Sequence, residues 1–171
     1  MKKFRLLFVI IALSINFVFA QNNWINYRVD DKLTVKFPAQ PNKLNEYGVF
    51  VKTIDTAVFI LSTVDLSKTD GLDSATVQSR APTSEFANSL KDGMLSEMKG
   101  FTLGNVNIAK WNNYTCYNIN GNNTSTKMSI YAFIVFIGTH AYDLMAIMPD
   151  NHGQAQKNLF FHSLQLTQKK Q

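Results

Sequence analysis

The sequence predicts an α+β domain with a mainly antiparallel sheet flanked by helices. Short segments that alternate apolar and polar residues follow one another with turn residues between them, which is typical of hairpins. One stretch, residues 83–98, instead repeats its apolar residues every four positions, as an amphipathic helix does. The order strands, helix, strands, helix favours an antiparallel sheet over a parallel doubly wound one.

The first twenty residues have the three parts of a secretory signal peptide. Basic residues begin the chain, an apolar run covers 6–19, and Val18 and Ala20 stand where signal peptidase reads small side chains. This pattern predicts cleavage after Ala20 and a periplasmic or secreted protein. The alternative is an uncleaved membrane anchor, but a span takes about 20 apolar residues, and this run has fourteen.

Residues 21–171 are then predicted to form one domain with a short basic tail at the C-terminus. The leader removes three of the 17 basic residues and none of the 12 acidic ones, so the net charge falls from +5 to +2. A nearly neutral chain has no electrostatic footprint for nucleic acid or for an anionic membrane surface. We therefore expect no nucleic-acid partner and no membrane insertion after cleavage.

Cys116 is the only cysteine, so the chain cannot form an internal disulfide and its core must hold the fold. Cys116 lies in an alternating segment and is predicted to be a small buried side chain. The alternative, a reactive thiol, would need a nearby base that the local sequence does not supply. The residue also lies too far downstream of the leader to carry the lipid of a bacterial lipoprotein.

The first predicted elements are two hairpins. Residues 24–29 and 33–37 alternate on either side of an Asp-Asp-Lys turn, and a proline ends the second strand because it has no donor for a sheet ladder. Residues 47–55 and 57–64 are predicted as the next pair. The stretch 65–81, rich in Asp, Ser, Thr and Gly, is predicted to be the longest loop.

The amphipathic helix at 83–98 carries its own start and stop signals. Thr83 can cap the first amide groups, and Gly100 can adopt the left-handed conformation that closes a helix. The apolar stripe of this helix, which includes Met94 and Met98, is predicted to pack on the core.

Further strands are predicted at residues 101–111, 114–120, 126–137 and 142–148. The segment 128–137 is apolar on both alternating faces, so it must be covered on both sides and belongs at the centre of the sheet. Asn151 and Gln154 then have the spacing of a capping pair for a last helix through about residue 161.

No motif for catalysis, a cofactor or a metal ion stands out. His140, His152 and His162 are too widely spaced for a zinc site, and there is no nucleophile elbow or glycine-rich phosphate loop. The predicted loop holds four residues that suggest calcium but lack the ordered pattern of a calcium loop: Asp65, Asp70, Gly71 and Asp73. We therefore predict no catalytic residue, no cofactor, no metal and no enzymatic activity.

His140 and Asp143 come closest to an acid–base pair. Because they stand three positions apart on a strand, they are predicted to point to opposite faces. Aromatic residues near strand ends are better candidates for a binding face, although any one of them more often belongs to the core. These residues are Trp24, Tyr27, Tyr47, Phe50, Trp111 and Tyr114.

Four segments resemble small exported bacterial proteins of the PsbP-like fold. Trp24 opens a strand, Leu-Thr-Val-Lys-Phe-Pro-Ala-Gln-Pro covers 33–41, Gly-Thr-His-Ala-Tyr covers 138–142, and Phe-His-Ser-Leu-Gln-Leu covers 161–166. An extrinsic subunit of photosystem II and a Ran-binding nuclear import factor share this fold. The resemblance implies an α/β/α sandwich around an antiparallel sheet, and a role as an assembly or accessory protein that binds other proteins.

These observations predict a non-catalytic exported protein that binds an envelope protein through a sheet face or a hairpin edge. The first alternative is a small-molecule binding domain with an apolar pocket between helix 83–98 and the sheet, lined by Met94 and Met98. The third hypothesis, an enzyme, would require residues distant in sequence to converge in a cleft.

Overall fold

Eleven strands and four helices make up the residues that this computed structural model describes, 24–150 and 152–167. The strands are β1 (Ile25–Arg28), β2 (Leu33–Phe37), β3 (Asn42–Lys43), β4 (Gly48–Lys52), β5 (Val58–Asp65), β6 (Thr102–Leu103), β7 (Asn107–Trp111), β8 (Tyr114–Asn123), β9 (Met128–Ile137), β10 (His140–Pro149) and β11 (Gln165–Leu166). The helices are α1 (Leu66–Thr69), α2 (Ser74–Arg80), α3 (Ser84–Glu97) and α4 (Gln154–His162). The predicted leader at 1–20 lies outside the described residues.

The strands form one large and one small sheet, and every pairing is antiparallel. The main sheet has the order β3-β4-β5-β10-β9-β8-β6, with β7 also paired to β8, and the small sheet has the order β1-β2-β11. The predicted α+β class with an antiparallel sheet is therefore confirmed. Strand β9 lies between β10 and β8, and Ile134 and Val135 are buried on its opposite faces. This confirms that 128–137 is central.

The two faces of the main sheet are covered by different layers. One face, which we call the hairpin face, packs against the small sheet and α4, where Phe160 lies 5.2 Å from both Phe37 and Phe59 between ring centroids. The other face, which we call the helix face, packs against α1, α2 and α3 through residues such as Val77 and Ala87. The predicted sandwich of a sheet between two layers is confirmed.

Both early hairpins form where the sequence predicts them. Strands β1 and β2 pair with Tyr27 opposite Val35, and β2 ends at Phe37, directly before the proline. Strand β4 pairs with β5, and the two-residue strand β3, which the pattern did not predict, adds to the outer edge of β4.

The prediction of a long loop at 65–81 was wrong, because this stretch contains two short helices. Asp65 accepts a hydrogen bond from the Ser67 amide at the start of α1, and Asp73 accepts one from the Thr76 amide at the start of α2. Aspartate is a favoured capping residue. The few apolar residues of the stretch, including Leu66 and Val77, are buried on the helix face. The aspartates that cap these helices are also typical of loops, so the composition of the stretch did not reveal the helices.

The prediction of one strand at 101–111 was also wrong. The chain leaves the sheet after β6 and returns as β7, and both pieces pair with the long strand β8. The Gly104 amide donates to the carbonyl of Asn120 at the interruption. A glycine within an apparent strand commonly marks such an irregularity.

The helix predicted at 83–98 is α3, and its signals are used as expected. Thr83 is the N-cap and accepts from the Phe86 amide, and Gly100 has a φ of +85°. The last helix, α4, begins after Gly153 rather than at the predicted capping pair. Gly153 has a φ of +67° and makes no side-chain cap, and Asn151 lies outside the described residues.

Cys116 is a free cysteine and is buried in the core of the hairpin face, as predicted. Burial raises the pKa of its thiol, and the charge of Lys110 opposes this only in part. Within the described ranges, no helix is both long and apolar enough to cross a bilayer.

Candidate binding site

A surface groove with a volume of about 470 Å³ lies at one end of the hairpin face. Its residues come from β1, from the β3–β4 hairpin and from β5, which are distant in sequence. The groove is lined by Tyr27, Val29, Pro41, Lys43, Asn45, Glu46, Tyr47, Gly48, Val49, Leu61 and Thr63. Its volume falls within the range of about 300 to 1,000 Å³ found for ligand pockets.

The floor and one wall of the groove follow from the alternation of the strands. Val49 of β4 and Leu61 of β5 are directly paired, so their side chains stand together on the hairpin face. Tyr27 and Val29, at the end of β1, pack against the same core and supply the wall. The groove is thus the part of this face that the small sheet leaves uncovered.

The β3–β4 hairpin forms the opposite rim and exposes two large apolar side chains, with Leu44 exposed to 48% and Tyr47 to 50%. The hairpin itself is well fixed. The Leu44 amide donates to the Gly48 carbonyl over 2.9 Å, and the side chain of Asn45 accepts from the Tyr47 amide over 2.8 Å. The backbone that carries these exposed side chains is therefore fixed by hydrogen bonds within the hairpin rather than by burial of the side chains.

Gly48 allows the rim strand to approach its neighbour closely. A Cβ atom at this position would lie 2.7 Å from the carbonyl oxygen of Leu61 and 2.9 Å from Oγ of Ser62. Atoms in real structures do not come this close, so any larger residue would push β4 away from β5. The shape of the groove depends on this glycine.

A partly buried polar pair fastens the wall of the groove to the main sheet. Tyr142 of β10 donates its hydroxyl proton to Oδ2 of Asp30 in the β1–β2 turn. The other carboxyl oxygen of Asp30 accepts from the backbone amides of Lys32 and Leu33 at 2.7 and 3.0 Å. One aspartate therefore closes the turn and also ties it to β10.

The pKa values of this pair reflect the same contacts. Burial acts to raise the pKa of Asp30, but hydrogen bonds from Tyr142 and from the two turn amides outweigh it, so the pKa lies below its ordinary value. Burial, followed by the hydrogen bond and the charge of Asp30, raises the pKa of Tyr142. The pair is therefore a carboxylate and a neutral phenol at neutral pH.

Most of the aromatic residues proposed from the sequence belong to the core. Trp24 contacts Phe59 edge to face at 5.7 Å, and Trp111 contacts Phe133 at 6.5 Å between ring centroids. Tyr114 packs on the same core, and Phe50 is half-buried. Tyr27 and Tyr47 are the two that line the groove.

His140 and Asp143 are not brought together. The ring of His140 stacks on Tyr142 with 5.9 Å between centroids, on the hairpin face. Asp143 shares the helix face with Met145, two positions along the strand. The two side chains therefore lie on opposite sides of the main sheet.

The acidic residues at 65–73 serve as helix caps. Hydrogen bonds from Ser67 and Thr139 lower the pKa of Asp65 to about 2, with a smaller contribution from His140. Asp73 has a lowered pKa because it accepts hydrogen bonds at the start of α2. In the part of the chain that the structure describes, no three His, Cys, Asp or Glu residues are arranged to hold a metal ion.

The groove does not lie where the small-molecule hypothesis placed a pocket. Met94 and Met98 are half-buried and pack against the core of the helix face, whereas the groove lies on the hairpin face. Sequence reasoning did not single out Leu44 or Val29. An apolar residue in the polar stretch Asn-Lys-Leu-Asn-Glu-Tyr at 42–47 was the available signal for Leu44.

Solved structures share the fold, although no protein-family model and no curated protein match the sequence. CyanoP, the cyanobacterial PsbP of Synechocystis sp. PCC 6803, aligns with a TM-score of 0.54 and 12% identity, over 84% of this chain and 92% of CyanoP. A protein of Bacteroides thetaiotaomicron VPI-5482 aligns with a TM-score of 0.51 and 12% identity, over 80% of this chain. The alignment covers only 46% of the Bacteroides protein.

LpqN, which is involved in cell envelope biogenesis of Mycobacterium tuberculosis, aligns at 16% identity over 86% of this chain and 93% of LpqN, with a TM-score of 0.49. The likeness to CyanoP shows that the fold is PsbP-like. It confirms the resemblance seen in the sequence.

Proposed function

We propose that this protein is an exported, non-catalytic accessory protein of the cell envelope, which binds another envelope protein through the groove. The observation that carries this proposal is the hydrogen-bonded β3–β4 rim with two exposed apolar side chains: Tyr47, which lines the groove, and Leu44, which lies between the lining residues Lys43 and Asn45. Exposing apolar area on a fixed hairpin has no benefit for folding, so it suits a surface that a partner covers.

The composition of the groove matches that of a protein interface. Tyrosine is enriched among the residues that dominate binding energy, because it offers a large rigid surface and a polar tip. Lys43 and Glu46 also line the groove and supply charges at its rim. An apolar centre with a polar rim is the usual arrangement of such surfaces.

The envelope location rests on the leader expected at 1–20, which would deliver the mature protein to the periplasm or beyond. The PsbP-like fold is compatible with this location but does not determine a function, because one fold hosts many functions. The non-catalytic role is supported by the separation of His140 from Asp143 and by the use of Asp65 and Asp73 as helix caps.

The test is affinity capture from native envelope with tagged mature protein. Wild type is compared with the double variant Leu44→Ala and Tyr47→Ala, and with the control Ile54→Ala, which removes a fully exposed apolar side chain outside the groove. We expect one dominant envelope protein with wild type and the control, and at least a tenfold loss with the double variant. Equal recovery with all three proteins would contradict the proposal.

A small apolar ligand is the second candidate, because the groove volume and its apolar floor of Val49 and Leu61 also suit one. Native mass spectrometry of protein purified from its own host distinguishes the two. A bound small molecule that is lost in Leu61→Ser, together with no captured partner, would favour ligand binding over protein binding.

A further inference from the structure

Asp143 occupies an unusual position in the main sheet. It lies on the helix face of β10, directly opposite Ser62 of β5 and Ile134 of β9. Its neighbours along the strand on this face are Ala141 and Met145, which are both buried. The surroundings of this carboxyl group are therefore uncharged on all three strands.

Asp143 has an unsatisfied oxygen. Oδ1 is closed to solvent and has no hydrogen-bond partner among the described residues. The residue as a whole nevertheless keeps part of its surface exposed. A buried carboxylate oxygen without a partner costs free energy, and such a group in a native structure calls for an explanation.

The helix layer covers an apolar strip beside Asp143 only in part. Strand β5 is buried on its hairpin face, where Phe59 and Leu61 are almost inaccessible, but it is half-exposed on its helix face. The pairing of β4, β5 and β10 brings five half-exposed apolar side chains onto this part of the helix face. We call them the β5 strip: Phe50, Val58, Ile60, Val64 and Ile147.

We propose that Asp143 and the β5 strip form a second binding site, which takes a small amphiphilic amine whose ammonium group pairs with Asp143 and whose hydrocarbon chain covers the strip. The strip runs for seven residues of β5, from 58 to 64, or about 20 Å. An ammonium is favoured over a guanidinium because the latter pairs with both carboxyl oxygens, and Oδ1 is shielded. The site lies on the face opposite the groove and does not depend on it.

Charge complementarity supports this class of ligand. Burial raises the pKa of Asp143 to about 7, and no charged group contributes to the shift. The charged residues of the three helices that pack on this face therefore do not neutralise it: Lys68 of α1, Arg80 of α2, and Glu85, Lys91, Asp92 and Glu97 of α3. A cation that pairs with Oδ2, the carboxyl oxygen that is not shielded, would stabilise the carboxylate and lower this pKa.

The pH dependence of binding follows from this linkage. An alkylamine stays protonated up to about pH 10, as a lysine side chain does. With a pKa of about 7, the carboxylate is mostly ionised at pH 8 and only about 3% ionised at pH 5.5, so affinity should be about 30-fold weaker at the lower pH.

The test is titration of the mature protein with n-octylamine, followed by NMR chemical shifts and by calorimetry. Octanol and octanoate are the matched neutral and anionic probes. We expect saturable binding of octylamine at the β5 strip, at least tenfold weaker in Asp143→Asn and unchanged in the control Asp92→Asn, which alters an exposed carboxylate of α3. Asn keeps the size of the side chain, so the variant should fold.

No saturable binding would overturn the proposal. Equal affinity for octanol and octylamine would do the same, because it would leave no role for the charge. Octylamine binding that is unaffected by Asp143→Asn, with shifts outside the β5 strip, would also overturn it.

Discussion

Single residues decide how the layers of this protein are held together and how they respond to pH. Tyr142 and Asp30 join the small sheet to the main sheet through one hydrogen bond. On the helix face, Oδ1 of Asp143 is buried and has no hydrogen-bond partner among the described residues. Alternation along the strand could predict that Asp143 and His140 face opposite ways. It could not predict which face the helices cover, so the burial of Asp143 emerges only from the structure.

Asp143 should make the protein less stable as the pH rises. The pKa of Asp143 is about 7 in the folded state, against about 3.9 when the chain is unfolded. Between these values the folded state holds a proton that the unfolded state releases, so the free energy of unfolding falls from about pH 4 to pH 7 and then levels off. This fall should be absent in Asp143→Asn. At pH 8 the free energy of unfolding of the variant should therefore exceed that of wild type by about 1 to 4 kcal/mol.

Urea unfolding of both proteins at pH 5 and pH 8 measures this difference. If the difference in free energy of unfolding between wild type and Asp143→Asn were the same at both pH values, the predicted role of Asp143 would be contradicted.

Tyr142→Phe should destabilise the protein because it removes the hydrogen bond to Asp30 but keeps the ring. Hydrogen bonds to charged groups contribute about 1.5 to 3 kcal/mol. The lowered pKa of Asp30 means that its contribution is present above its ordinary pKa and is lost as the pH falls through the folded value. The loss caused by Tyr142→Phe should therefore be largest at neutral pH and smaller near pH 3.

Tyr131→Phe is the matched control, because the Tyr131 hydroxyl accepts a hydrogen bond from the neutral side chain of Gln154 at an exposed site. It should change stability by less than about 0.5 kcal/mol. If chemical denaturation showed that Tyr142→Phe and Tyr131→Phe lower the free energy of unfolding equally, the Tyr142–Asp30 hydrogen bond would have no special role in stability.

At the scale of elements, periodic patterns predicted the long strands and α3, whereas short helices and the break between β6 and β7 were not predicted. The apolar segment that forms β9 and the stripe of α3 were recognisable because each repeats over several turns or residue pairs. Helices α1 and α2 have four and seven residues, too short to show a period, and their capping aspartates have the composition of a loop. Gly104 was the available signal for the interruption between β6 and β7, but its hydrogen bond to Asn120 joins residues distant in sequence, so no local pattern shows where the strand breaks.

Asp73→Ala should destabilise the protein by about 1 kcal/mol, because it removes the side chain that accepts the Thr76 amide at 2.7 Å. Asp73→Ser keeps a capping oxygen and should recover most of the loss. Denaturant midpoints of the three proteins provide the measurement. If serine were no better than alanine, the cap would not be the source of the stability.

Two glycine substitutions should have opposite effects. Gly93 lies within α3, and an added Cβ would meet nothing within 4 Å, so Gly93→Ala should raise the free energy of unfolding by about 0.5 to 1 kcal/mol. Gly48→Ala should lower it by about 1 to 3 kcal/mol, because of the contact with the Leu61 carbonyl oxygen. Thermal unfolding checks both, and a stabilising Gly48→Ala would show that the approach of β4 to β5 is not tight.

At the scale of the whole molecule, the fold is a sheet between two layers, and each layer leaves part of its face uncovered. The groove lies on the hairpin face, and the β5 strip is the part of the helix face that the helices cover only in part. The sequence predicted the layers because alternation and apolar stripes are local. It could not predict the groove, whose walls come from β1, β4 and β5 and meet only through tertiary packing.

The most direct test of the proposed role is in-cell photo-crosslinking from the rim of the groove. A photoreactive amino acid replaces Tyr47 in one protein and Ile54, exposed in the β4–β5 turn, in the other. Mass spectrometry then identifies the crosslinked protein and the mature N-terminus. The account predicts one dominant envelope protein from position 47, none from position 54, and a chain that begins at Gln21. Equal crosslinking from both positions, or none from position 47, would contradict it.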